Sequence, residues 1–313
     1  MIWLWISLGV IGGFFLILII ISYIVFHLTI VRDSAWNTDG DQVIFKFEDK
    51  YKKEAEQYYK WFHSEGEVVV VRSDDGLNLC GRYFKHPHAK RTIIMVHGYR
   101  GKPDYDFCLS HHWLFENESN ILCVYSRATG LSEGKYITMG IKERDDLHQW
   151  FDYVCQKDNL PIYFSGISMG AATVMMSMYK PYSDRLKGLF LDCGYSSIYR
   201  QFQSYIGGMV GKPLATLFLF FANWWTHIFA HFGMKQADTR KIMKDVTLPL
   251  LFAHSDKDKF VLPYHTLENY EACGSEHKYL LIGQGAEHGD TFLTNEKEYK
   301  EIIKKIFNIC ENN

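Results

Sequence analysis

Six short, predominantly apolar runs, at residues 92–96, 121–125, 162–164, 186–191, 248–253 and 279–282, alternate with longer amphipathic stretches. A run without polar alternation has no polar face to give to water, so it reads as a strand covered on both sides. Strand–helix alternation of this kind dictates a mostly parallel central sheet flanked by helices, an α/β architecture whose reactive groups gather at the carboxyl ends of strands. One intervening helix is predicted from about Ile141 to Gln156, with Leu147, Trp150, Phe151 and Val154 on one face and Lys142, Glu143, Asp145 and Lys157 mostly off it. Upstream, Val68–Arg72, then Asp74-Asp75-Gly76, then alternating Leu77, Leu79, Gly81 and Tyr83 read as a β-hairpin with an Asp-Gly turn.

The amino end obeys a different rule. No Asp, Glu, Lys or Arg occurs from Ile2 to Val31, and Trp3–Phe26 is nearly all Ile, Leu, Phe, Val, Gly and Trp. At about 1.5 Å per residue, that stretch covers roughly 36 Å as a helix, enough to cross a hydrocarbon core of about 30 Å with some tilt. Trp3, Trp5 and Tyr23 suit interfacial positions. A cleaved signal peptide is the competing reading, but the start lacks Lys and Arg, the apolar run is too long, and no small-x-small site precedes Arg32. The nearby charges are Arg32, Asp33, Asp39, Asp41 and a Lys-rich stretch from Lys46 to Lys53, so positive-inside counting favours the cytoplasmic face for the body.

Composition removes several function classes. With 34 basic against 36 acidic side chains and no Lys/Arg run beyond a pair, the chain has no dense basic face for nucleic acid. Its seven cysteines (80, 108, 123, 155, 193, 273 and 310) include no C-x-x-C pair, so neither a disulfide framework nor a zinc site is expected, and a reducing environment suits them. His86-Pro87-His88 and His111-His112 have no Cys or carboxylate at ligand spacing and read as surface histidines rather than metal ligands.

Gly166-Ile167-Ser168-Met169-Gly170 follows one predicted strand and opens the apolar stretch Ala171–Tyr179, a strand–turn–helix setting. The glycines permit a turn sharp enough to project the Ser168 hydroxyl above the sheet. A serine hydroxyl is a poor nucleophile at neutral pH, so it needs a base in reach and an acid to hold that base. His288 lies in the Gly-rich loop 283–289, just past a strand, and is the candidate base; the acid is sought in the loop 254–263, which offers Asp256 and Asp258. Charge developing on a carbonyl oxygen calls for two backbone N–H donors: the amide of Met169, next to the serine, and that of Tyr99 in His97-Gly98-Tyr99.

These residues resemble the α/β-hydrolase superfamily over roughly 66–310, specifically its membrane-anchored bacterial members related to serine aminopeptidase-like and acylglycerol-lipase-like hydrolases. The resemblance rests on His97-Gly98-Tyr99, the 127–134 stretch, Gly166–Gly170, His254–Pro263 and Gly285-Ala286-Glu287-His288. It implies Asp258 as the acid, because the family's acid follows a His-Gly-x-x-Asp run and precedes Val-Pro; Asp192 is the fallback, used by some branches. Departures are Tyr125 and Thr129 where the family usually has Asp and His, Ser255 for a common Gly, and Leu262 as an extra residue before Pro263.

The expected layout is a transmembrane anchor over 1–31, a connector over 32–65 that has helical character, and a hydrolase domain over 66–312 with a helical cap insertion at about 198–247. Between Pro213 and Met234 there is no formally charged side chain, and Thr216, Asn223, His227 and His231 form a thin polar stripe against Leu, Phe and Trp. That pattern suits a cap over an acyl pocket or a surface on the bilayer; a second span would separate Ser168 from Asp258 and His288. The expected activity is hydrolysis of carboxylic esters or thioesters on small or lipophilic acyl substrates, without metal or organic cofactor. A serine peptidase is the enzymatic alternative, favoured by an acidic cap residue for a substrate amine, and the cap offers Asp238 and Asp245; a non-catalytic membrane scaffold is the third reading.

Overall fold

The computed structural model describes residues 1–32, 49–107 and 109–311; the connector between 33 and 48, and Cys108, lie outside the described residues. The chain opens with helix α1 (Ile2–Ile30) and resumes with α2 (Asp49–Glu65). A hairpin follows, β1 (Glu67–Arg72) and β2 (Asn78–Phe84), then β3 (Arg91–Val96), the short helices α3 (Pro103–Asp106) and α4 (Ser110–Glu116), β4 (Ser119–Val124) and α5 (Glu143–Lys157). β5 (Ile162–Ile167) leads into α6 (Met169–Ser177), and β6 (Leu186–Asp192) into α7 (Ile198–Val210), α8 (Lys212–Trp225), a π-helical turn (Thr226–Ala230) and α9 (Thr239–Met243). The chain finishes with β7 (Leu250–Ser255), α10 (Tyr264–Ala272), β8 (Lys278–Gly283), α11 (Thr291–Thr294) and α12 (Glu296–Glu311).

The strands form one eight-stranded sheet in the order β1-β2-β4-β3-β5-β6-β7-β8. β1, β2 and β4 pair antiparallel, and every pair from β4 onward is parallel. Alternation along the parallel strands feeds two cores, as the two-residue period requires. Ile94, Val96, Phe164 and Leu191 join Leu147, Trp150 and Val154 of α5 on one face. Ile93, Met95, Tyr163 and Phe190 join Ile302, Ile303, Ile306 and Phe307 of α12 on the other. Burying two faces in this way removes the strands' apolar surface from water at about 25 cal/mol per Å², which is why the runs are so predominantly apolar.

Two sequence expectations are refined by these contacts. The predicted helix 141–156 forms as α5, but Glu143 is buried, not off the packed face: its carboxylate accepts from the Thr138 and Gly140 amides at 2.7 and 2.9 Å. Asp146 on the same helix is buried against Arg127, whose Nε lies 2.7 Å away. His111, read as a surface histidine, is fully buried among Tyr58, Trp61 and Phe62 of α2. Burial pushes its imidazole down to about 4, so it packs as a neutral ring.

α1 is long and apolar enough to cross a membrane, one such helix among the described residues. It is not a detached stalk. Leu18, Ser22, Phe26 and Ile30 recur every four residues and are buried on one face. Trp225 donates to Ser22 Oγ at 3.0 Å, Tyr23 meets the Trp225 ring edge-on at 5.1 Å, and Phe26 meets Phe229 at 5.7 Å. Past the helix, Arg32 donates to the carbonyls of Gly130 and Ser132 at 2.9 and 2.6 Å.

Candidate active site

Ser168 stands between β5 and α6 with φ 55 and ψ −115, a left-handed conformation that costs a non-glycine residue on the order of 1–3 kcal/mol. Two glycines make that turn sterically feasible. A Cβ on Gly166 would lie 2.6 Å from the Ala171 nitrogen, and one on Gly170 would overlap the carbonyl oxygen of Val96. Bonds from the Ser168 amide to Asp192 O at 2.8 Å and from the Ala172 amide to Ser168 O at 3.0 Å hold it.

The sheet brings the three candidates of the sequence together. His288 Nε2 is 2.9 Å from Ser168 Oγ, and His288 Nδ1 is 2.6 Å from Asp258 Oδ2. With Nδ1–H donating to the carboxylate, Nε2 is left to accept the serine proton. Asp256, the other acid in that loop, has a different job: its Oδ1 accepts from the Gly285 amide at 2.7 Å and pins the loop that carries His288. Asp192, the fallback, points elsewhere and accepts from Thr291 Oγ1 at 2.9 Å.

The two buried acids are tuned in opposite directions. Burial drives the Asp258 carboxyl up, but donors from His254 and His288 and the Val261 amide outweigh it and hold it well below the usual range. Asp258 Oδ1 also accepts from the Phe260 amide at 2.8 Å. Asp192 is fully buried and is pushed up to about 6, with Thr291 as the hydrogen-bonded donor opposing that rise.

Several supporting roles, and Asp106 altogether, escaped the sequence reading. His254 is completely buried, with Nε2 3.2 Å from Asp258 Oδ2 and 2.8 Å from Val261 O. Its position four residues before the acid was the available signal. Asp106 is half-buried on the wall of the site cavity and accepts from the Gly98 amide at 2.7 Å, which fixes the loop bearing Tyr99; desolvation pushes its carboxyl up to about 6 against that amide. No periodicity marks it, because it lies in a four-residue helix after a loop. His97 is buried and neutral, pushed down to about 4 by burial; its Nε2 accepts from the Ser126 amide at 3.0 Å and lies 3.1 Å from Thr129 Oγ1. Thr129, where the related pattern usually has His, thus ties the two loops flanking the site.

Tyr99 and Met169 frame the space in front of Ser168: Tyr99 lines both cavities that reach the serine, and Met169 is the first residue of α6, whose amide points out of the helix start. One cavity, about 310 Å³, runs under α3 and α4 past Asp106, Trp113 and Phe292. The other, about 190 Å³, runs between α7, α8 and the end of α1. Cys193 Sγ lies within 4.8 Å of ligand atoms of Asp258 and His288. A metal there would have to break the Asp258–His288 bond and deprotonate a thiol that burial pushes well above its usual range, so the set does not fit one.

No protein-family profile matches the chain. Over 265 residues it is 25% identical to the uncharacterized protein YqkD of Bacillus subtilis, covering 82% of this chain and 86% of that protein. Protein bem46 of Schizosaccharomyces pombe is 23% identical over 240 residues, covering 75% and 74%. Among solved structures, the esterase Pf2001 of Pyrococcus furiosus superposes with a TM-score of 0.61 at 20% identity, covering 80% of this chain and 95% of that one. With its strand order and its sharp turn after β5, the chain has the α/β-hydrolase fold.

Proposed function

We propose that this chain is a membrane-anchored serine hydrolase that cleaves carboxylic esters or thioesters through an acyl-enzyme. The observation that carries the reading is the unbroken series Asp258–His288–Ser168 at 2.6 and 2.9 Å. Ser168 Oγ attacks the carbonyl carbon while His288 Nε2 takes its proton, and the amides of Tyr99 and Met169 stabilise the oxyanion. As the tetrahedral adduct collapses, the bond to the leaving oxygen or sulfur breaks and His288 returns the proton to it. Water, deprotonated by the same imidazole, then releases the acid. Asp258 orients His288 and stabilises it when charged.

Residues 1–31 serve as the anchor, 66–312 as the catalytic domain and 198–247 as its cap. Positive-inside counting favours the cytoplasmic side for the catalytic body. Esters are preferred to peptides because the cap puts no acid on either cavity for an α-amine: Asp238 caps α9 and pairs with Arg240 at 2.6 Å, and Asp245 is exposed and lines neither cavity. Of the acids on the larger cavity's wall, Asp106, Asp192 and Asp290, the first accepts from the Gly98 amide and the second from Thr291.

A fluorophosphonate probe tests the reading. Purified full-length protein should be labelled at Ser168, and Ser168→Ala should not be. Folded wild-type protein that resists the probe would return the chain to the scaffold alternative.

A further inference from the structure

We propose that the anchor helix is itself a wall of the acyl-binding site, and that a long-chain acyl ester passes sideways from the bilayer core, between α1 and α8, onto Ser168. The inference rests on the hydrolase reading above and names the substrate class of that same site.

Depth comes from registering two helices. Phe15 meets Phe221 at 6.4 Å, Trp225 bonds Ser22, and Phe229 packs on Phe26, so α8 and the turn after it run alongside α1 from Phe15 to Phe26. Those eleven steps rise about 16 Å, and they lie inside the charge-free stretch Trp3–Phe26. If that stretch crosses the hydrocarbon, α8 sits in hydrocarbon with it. At 14 residues α8 is too short to span on its own, since crossing takes about 20. The outward side of this layer agrees with such a setting: Met209, Val210, Phe220, Trp224 and Ile228 are all exposed. From Gln201 to Met234 the one formally charged side chain is Lys212, whose long stem suits an interfacial reach.

Between these helices lies the smaller cavity. Val25, Phe26 and Ile30 of α1 line it together with Phe218 and Ala222 of α8, and Ser168 is on its wall. Its polar side chains are largely spent on the protein: Thr29 Oγ1 donates to Val25 O at 2.7 Å, Tyr195 to Met139 O at 2.9 Å, and Tyr99 to Thr29 O at 2.7 Å. Gln201 Nε2 donates to Phe260 O at 2.6 Å, and its Oε1 is the buried polar atom there without a partner. A chamber of this character rewards a hydrocarbon chain, worth about 0.8 kcal/mol per methylene removed from water. The larger cavity, with Asp106 and Ser110 on its wall, is left for the alcohol or thiol part.

The test uses the full chain in phosphatidylcholine vesicles and a hexadecyl fluorophosphonate with a diazirine midway along its chain. Once bound to Ser168 and irradiated, it should crosslink to α1 within residues 25–30 or to α8. Crosslinks confined to Trp113, Phe292 and their neighbours would overturn the proposal while leaving the hydrolase reading intact; failure to label Ser168 with this and with a short-chain probe would overturn the hydrolase reading itself. Ala222→Trp, which fills the chamber, should lower the ratio of kcat/KM for p-nitrophenyl palmitate over p-nitrophenyl acetate at least 20-fold. A ratio within twofold of wild type in labelled protein would count against the chamber. Should that variant fail to fold, the wild-type crosslink map decides alone.

Discussion

Adjacent strands β6 and β7 each carry a buried aspartate at or just past the carboxyl end, and the two are driven in opposite directions. Asp258, past β7, is surrounded by donors: two histidines and the amides of Phe260 and Val261. Asp192, at the end of β6, has the Thr291 hydroxyl as its hydrogen-bonded donor and is pushed up to about 6. Both are nearly inaccessible to solvent. The difference teaches that burial does not set the charge of a carboxyl in this sheet; the number of N–H groups aimed at it does. In the proposed mechanism the acid that holds an imidazolium is the one these donors keep ionised, and its neighbour is not.

The strongest way to break this comparison is through catalysis. Asp258→Asn should lower kcat for p-nitrophenyl ester hydrolysis by about 10⁴-fold, because the amide stabilises the wrong His288 tautomer. Asp192→Asn should change kcat less than about threefold; equal losses in the two variants would mean that the acids share the role. The second test is the pH dependence of stability. A carboxyl raised from 3.8 to about 6 in the folded state is bound to a proton there that the unfolded chain has already released. Its contribution therefore falls as pH rises from about 4 through 6, by about 3 kcal/mol at most. Asp192→Asn should erase that loss, so its unfolding free energy relative to wild type should climb across this window in urea titrations. Asp258 has the opposite sign: its contribution is present above the unfolded value and disappears as pH falls.

Smaller effects sharpen the account. His254→Ala removes one donor to Asp258 and leaves His288 and two amides, so kcat/KM should fall about tenfold with the acid limb of the pH–rate profile moved upward. A loss of activity with no movement of that limb would mark His254 as a packing residue only. Thr291→Val removes the donor to Asp192 and should cost about 1 kcal/mol of stability near pH 5, read as a drop in Tm, with a larger deficit at pH 8, where Asp192 must ionise without it.

The strands, their order of burial and the sharp turn at Ser168 were legible because they depend on local pattern: predominantly apolar runs and two glycines at fixed spacing. His288 and the 254–263 loop could be placed past strand ends for the same reason. Glu143 and His111 were misjudged because a polar residue inside an apolar face looks, from spacing alone, like a solvent-facing one. Each is buried because a partner distant in space, the Thr138 loop or the α2 rings, makes burial affordable. Choosing between Asp256 and Asp258 required the resemblance, since both lie in one loop and only the three-dimensional path of the Gly285 loop separates their partners.

By itself the amino-acid order determined which segments must leave water and which turn must be sharp, since hydrophobicity and backbone sterics act over a few residues. Tertiary structure alone decided that the end of α1 and α8 line one chamber with Ser168. That arrangement joins residues about 200 positions apart through ring contacts and one indole hydrogen bond, and no local rule carries information over such a distance.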